Sequence, residues 1–105
     1  MSEMDLVNQI IAYVTMTGGV AIRINSGMRI IEGQDGKRRA FRGAPKGTSD
    51  ILACIGGRFY AIECKDGRGK PTPDQLDFIE RVREAGGVGG VVWSLEEFQK
   101  LVEAK

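Results

Sequence analysis

An α/β domain with a mixed central sheet flanked by helices, in the order αβββαβα, is predicted by three features of this 105-residue chain. Apolar residues recur at three-to-four spacing near both ends and again between residues 76 and 82, the period of helices packed by one face. Between them lie short β-branched and aromatic runs bounded by glycine, which is the composition of strands. Two of those runs are separated only by Gly56-Gly57, a dipeptide that favours a tight hairpin turn.

Each element has its own local reason. Ser2 caps a first helix whose apolar stripe is Met4, Val7, Ile10, Ile11 and Val14, and Gly18-Gly19 ends it. Val20-Ala21-Ile22-Arg23-Ile24 reads as a strand and Asn25-Ser26-Gly27 as a bend. A further extended piece from Met28 to Glu32 meets the turn signal Gly33-Gln34-Asp35-Gly36. The polar stretch through residue 47 is expected to be a mobile loop. The hairpin strands follow, residues 50–55 and 58–65, apolar on both faces as interior strands are. Asp66-Gly67-Arg68-Gly69-Lys70-Pro71 is expected to be a flexible connection. Thr72 as N-cap, Pro73 at the first position and Gln75 at the third start a second helix. Its buried stripe is Leu76, Ile79 and Val82, and Gly86-Gly87 stops it. Residues 89–93 supply a last strand. Ser94-Leu95-Glu96-Glu97 is a capping box for a final helix docked by Phe98, Leu101 and Val102.

Composition narrows the chemistry. A chain of 105 residues that is 42% hydrophobic suits one compact domain, residues 1–105. It carries no run of about 18 apolar residues and no basic-then-apolar start, so neither a membrane span nor a secretory signal is indicated and a cytosolic location is expected. With no histidine, histidine general-base catalysis and the common zinc sites are excluded. Carboxylates and lysine remain, a set that suits hard, oxygen-seeking metals. Cys54 and Cys64 fall on opposite faces of the hairpin, which argues against a disulfide, and both read as buried thiols.

Net charge is only +1, yet residues 23–70 hold 11 of the 15 Lys and Arg against 5 of the 14 acids. The densest run, Lys37-Arg38-Arg39-Ala40-Phe41-Arg42-Gly43-Ala44-Pro45-Lys46, immediately precedes the hairpin. A polyanion is the natural partner of such a region.

The hairpin turn sets a register. With Ile55 facing Arg58, Asp50 lies across from Glu63, and Lys65 shares the face of Glu63 while Cys64 points the other way. Directly opposed residues have Cβ atoms about 5 Å apart, and two unit charges at that distance repel by roughly 3 kcal/mol at an effective dielectric of 20. A cation between the carboxylates, a retained proton on one of them, or a different register would each resolve the conflict. A divalent metal is the expectation.

Gly47-Thr48-Ser49-Asp50, then Glu63-Cys64-Lys65, then Gln75 in a following helix together resemble the VRR-NUC (virus-type replication-repair nuclease) branch of the PD-(D/E)XK nucleases, in its standalone phage-type form. Arg23-Ile24-Asn25-Ser26-Gly27 and Gly86-Gly87 are similar to the family pattern as well, so the match covers nearly the whole chain. Ser49 stands where the wider superfamily has a proline-type position, and serine is common in this branch. The resemblance implies a restriction-endonuclease-like core in which Asp50, Glu63 and the backbone carbonyl of Cys64 bind Mg²⁺ or Mn²⁺. It implies that Lys65 orients the attacking water, that Gln75 contacts the lysine or that water besides its capping role, and that the product carries a 5′-phosphate. An acid of the first helix near the metal is implied too, Glu3 or Asp5. Phosphate contacts are expected from Lys37, Arg38, Arg39, Arg42 and Lys46, with Arg23, Arg68 and Lys70 flanking.

The expected function is therefore a metal-dependent DNA endonuclease selective for branched DNA such as four-way junctions, of phage or prophage origin and acting in the host cytoplasm. A compact monomer of this size spans about 26 Å, so symmetric cutting of two strands implies a homodimer. A monomeric flap or single-strand nuclease is the first alternative. A catalytically inactive nucleic-acid-binding module is the second, and the intact Asp50, Glu63 and Lys65 set argues against it.

Overall fold

The computed structural model describes residues 1–26 and 28–104, and of residues 28, 29, 41 and 42 the backbone. The elements are α1 (Glu3–Met16), β1 (Val20–Arg23), β2 (Met28–Glu32), β3 (Arg38–Arg42), β4 (Ile51–Ile55), β5 (Arg58–Cys64), α2 (Pro73–Glu84), β6 (Val88–Val92) and α3 (Leu95–Glu103). Four strands form the central sheet in the order β1-β4-β5-β6. The β1–β4 and β4–β5 pairs are antiparallel and β5–β6 is parallel, the last made possible by the α2 crossover. The predicted mixed sheet flanked by helices is the observed architecture. No helix among the described residues is long and apolar enough to cross a membrane.

The core lies between the sheet and the α1–α3 pair. Leu6, Val7, Ile10 and Val14 of α1 and Phe98 of α3 meet Ile51, Ala53, Tyr60, Ile62 and Cys64, and Tyr13 packs edge-on against Phe98 with ring centroids 6.1 Å apart. The other face is covered by α2, where Ile79 sits against Gly89. Helix α1 begins at a complete capping box between Ser2 and Asp5, and α2 at one between Thr72 and Gln75.

Several expectations need correction. Five strands, not three, separate α1 from α2, because Arg38–Arg42 is a strand paired with Met28–Glu32 rather than a mobile loop. The turn between them is closed by Gly33 N–H to the Lys37 carbonyl at 2.8 Å and by Lys37 N–H to Asp35 Oδ1 at 3.0 Å. This ribbon is a separate two-stranded sheet. Its Ile30 is 65% exposed, so the pairing leaves little of the buried-face pattern by which a strand is recognised. The overall dimensions of 50 × 30 × 28 Å exceed a compact globule for the same reason.

Cys54 is exposed, not buried, and Cys64 alone is a buried thiol. No helix covers that part of the sheet, where Val20 and Ile22 are also more than half exposed. Leu76 lies on the open side of α2 and Met4 on that of α1, while Leu6 takes the buried place. Residues 66–69 form an ordered turn, with Asp66 Oδ1 accepting from the N–H groups of Arg68 and Gly69. At α3, Ser94 Oγ accepts from Glu97 N–H, but Glu97 Oε1 reaches back to Trp93 N–H rather than to the cap residue.

Candidate active site

Asp50 stands one residue ahead of β4, at the end of a tight, buried turn. Gly47 has φ +92°, and a Cβ there would lie 2.6 Å from the Asp74 carbonyl oxygen, so only glycine lets the chain pass under the start of α2. The Thr48 hydroxyl and N–H both donate to the Pro45 carbonyl, at 2.6 and 3.1 Å. The turn therefore delivers Asp50 to the sheet in one orientation.

The Gly56-Gly57 turn has φ +57° and +78°, as a primed hairpin turn requires. From it the ladder runs Ile55↔Arg58 to Ile51↔Ile62, the predicted register. One level further on, Asp50 meets the end of β5. Its Oδ2 accepts from the Cys64 backbone N–H at 2.9 Å. The N–H and C=O of a strand residue point to the same edge, so the Cys64 carbonyl shares that edge with the carboxylate.

Glu63 is 1% exposed, and its Oε1 is buried without a hydrogen-bond partner. Its Oε2 lies 3.3 Å from Lys65 Nζ, and both side chains are largely withdrawn from solvent. Burial, and next the neighbouring Asp50 carboxylate, push the Glu63 carboxyl up to about 8 against the opposing pull of Lys65. Burial also pushes the Cys64 thiol up to about 12, with Asp50, Glu63 and Glu3 adding to it, so the thiol stays neutral and only the carbonyl of Cys64 is a donor. Among the described residues no group of three or more His, Cys, Asp or Glu side chains is placed to hold a metal ion. Two carboxylates and a carbonyl make an open, all-oxygen set, which fits Mg²⁺ because that ion keeps several waters. The stranded Oε1 and the retained proton are what a hard cation would relieve.

Beside Asp50 opens a cleft of about 320 Å³ lined by Glu3, Met4 and Val7 of α1 and by residues 23–26. The two acids of α1 differ in their surroundings. Glu3 faces the cleft, whereas Asp5 Oδ2 accepts from Ser2 N–H in the capping box. Arg23 and Asn25 line the same cleft; the sequence marks Asn25 only through the family-like stretch it belongs to and Met4 only as part of an apolar stripe.

The remaining residues fall into separate groups. Gln75 Oε1 accepts from Thr72 N–H at 2.8 Å, leaving only its amide NH₂ for any contact with the site. Lys37, Arg38 and Arg39 are exposed on the β2–β3 ribbon, where Arg39 pairs with Asp35 at 2.7 Å. The Arg42 side chain, like Gly27, lies outside the described residues. The ribbon is rooted at the cleft, because Ala44 N–H donates to the Asn25 carbonyl and Ala44 bridges Ser26. Lys46 instead lies 3.6 Å from Asp74 at the start of α2. Arg68 and Lys70 are exposed on the turn after Lys65.

No family model matches this sequence, and no curated protein does. Among solved structures, a "VRR_NUC domain" is similar over 98% of this chain and 97% of its own, with a TM-score of 0.67 and 24% identity. The Holliday junction resolvase Hjc of the archaeal hyperthermophile Archaeoglobus fulgidus is similar over 87% of this chain and 67% of its own, with a TM-score of 0.56 and 19% identity. At these identities the likeness is one of fold. The chain has the fold of the VRR_NUC domain and of Hjc, as the sequence resemblance implied.

Proposed function

We propose that the chain is a metal-dependent DNA endonuclease that hydrolyses phosphodiester bonds, selects branched DNA such as four-way junctions, and acts as a homodimer in the cytoplasm. One observation carries the reading: Glu63 is buried beside Lys65 and Asp50 with one carboxylate oxygen left without a hydrogen-bond partner. A purely structural hairpin gains nothing from that arrangement. The shared fold with a Holliday junction resolvase supports the branched substrate.

Asp50, Glu63 and the Cys64 carbonyl would hold Mg²⁺ or Mn²⁺, with Glu3 reaching in from α1. Such an ion, when bound, supplies Lewis-acid polarisation of the phosphate and a more acidic water. Lys65 orients the attacking water and offsets charge that develops on the scissile phosphate. Gln75 offers its amide NH₂ to the lysine or the water. Arg23 reaches the phosphate backbone from the cleft. Lys37, Arg38, Arg39, Arg42 and Lys46, with Arg68 and Lys70 on the other side, contact phosphates further out and give affinity without base readout. Two copies related by a two-fold axis place one site on each of two strands.

The test is cleavage of end-labelled four-way junction and matched linear duplex, with Mg²⁺ or with chelator, alongside the solution mass. Chelator-sensitive cutting of the junction by a dimer is the expected result. Equal cutting by wild type and Lys65→Ala would refute the site, and cutting by a monomer would refute the paired arrangement.

A further inference from the structure

One end of the central sheet carries a residue from each of its four strands. Arg23 ends β1, Asp50 precedes β4, Lys65 follows β5 and Trp93 follows β6. The proposed reaction uses the first three and leaves Trp93 without a part. With strands about 4.8 Å apart, the row from Arg23 to Trp93 is roughly 14 Å long.

Trp93 is held at two points. Its backbone N–H donates to Glu97 Oε1 at 2.8 Å, and its indole Nε1 donates to the Gly69 carbonyl at 3.0 Å. Gly69 in turn lies across the catalytic lysine: a Cβ built on it would sit 3.3 Å from Lys65 Cδ and 3.4 Å from Lys65 Cβ. Asp66 Oδ1 fixes that backbone by accepting from Gly69 N–H at 3.0 Å. A single residue of main chain thus separates the indole from the stem of Lys65. The only polar atom of the ring is satisfied, yet Trp93 remains 40% exposed. Arg68 and Lys70 stand exposed on either side of Gly69.

We propose that Trp93 is a base-stacking residue, receiving a base of the DNA whose face is left uncovered, next to the phosphate that Lys65 serves, while Arg68 and Lys70 take the flanking phosphates. The proposal rests on the nuclease reading and narrows its substrate. A lone aromatic surface binds a nucleobase through its face. Bases inside a continuous duplex have both faces covered by their neighbours, so the free face belongs to a branch point, a flap or a single strand. The fixed indole orientation means that little side-chain freedom is lost on binding.

The chain has a single tryptophan, so its intrinsic fluorescence reports this ring alone. In chelator, which prevents cleavage, a four-way junction and a single-stranded oligonucleotide are expected to quench the emission, and a relaxed, covalently closed circular duplex, which has neither a free end nor a single-stranded base, is not. Trp93→Ala is expected to weaken junction binding roughly 5- to 150-fold, the range for loss of one stacked base, with little change for the closed duplex. Trp93→Phe keeps a ring and loses the bond to Gly69, so it should retain most of the affinity. Equal quenching by all three DNAs, no quenching by any, or junction binding by Trp93→Ala as tight as wild type would overturn the proposal. If Lys65→Ala is inactive while Trp93→Ala binds normally, the nuclease reading stands and the stacking role falls. If Lys65→Ala still cuts while Trp93→Ala loses the junction, the assignment of Lys65 falls and the stacking role stands.

Discussion

The Cys64 backbone N–H donates to Asp50 Oδ2 at 2.9 Å, so the end of β5 grips one proposed metal ligand while the carbonyl of that same residue is the next. Position and ligation are thereby separable. Asp50→Asn keeps an oxygen able to accept from Cys64 and should fold normally, bind junction DNA and fail to cut it. Asp50→Ala removes the acceptor as well, and should lose about 1 kcal/mol of stability besides. Paired cleavage and thermal-melting measurements check both; residual cutting by Asp50→Asn would remove the carboxylate from the chemistry.

Glu63 sets a pH dependence of known sign. In the folded protein without metal it keeps its proton up to about pH 8, whereas an unperturbed glutamate releases it near 4.5. Between those values the folded state holds more protons than the unfolded chain, so rising pH favours unfolding. Glu63→Gln cannot titrate. Its melting temperature relative to wild type should therefore climb across the window and level off above it, by about 4–8 °C for each kcal/mol. Mg²⁺ competes with that proton, so it should raise the wild-type melting temperature more at pH 8 than at pH 6 and leave Glu63→Gln nearly unmoved. A pH-independent response to Mg²⁺ would contradict this.

The β2–β3 ribbon predicts a salt dependence. Arg38→Ala combined with Arg39→Ala should weaken binding to junctions of any sequence alike, and lower the slope of log K against log salt by about 1.8, near 0.9 for each lost phosphate contact. Binding titrations at several salt concentrations measure it. An unchanged slope would take the ribbon out of the interface.

Thr72 and Gln75 share one capping box, which makes them each other's control. Thr72→Ala should lose about 1 kcal/mol of stability and cut normally well below its melting temperature. Gln75→Ala loses the cap in the same way and the amide NH₂ too, so its cleavage rate should fall further. Matching rates for the two variants would assign Gln75 to the helix start alone.

The β4–β5 hairpin and the caps of α1 and α2 depend on neighbours in the chain and were legible in the sequence. The two-glycine turn set the β4–β5 register, and with it the meeting of Asp50, Glu63 and Lys65, because a strand alternates faces with a fixed period and a tight turn permits one pairing. The Ser2 and Thr72 caps were equally local. The ribbon was not visible, because Ile30 and Ile31, which would mark a buried strand face, stand in solvent. Nor was the partial exposure of the outer sheet face at Cys54, which follows from how far α2 reaches. Docking of α1 alone brought Glu3 to the cleft and left Asp5 at its cap. The same holds for Trp93 beside Lys65, since the bond through Gly69 joins residues 24 apart. Such neighbours are decided by packing across the sheet, and the raised Glu63 proton affinity comes from the burial that only packing supplies.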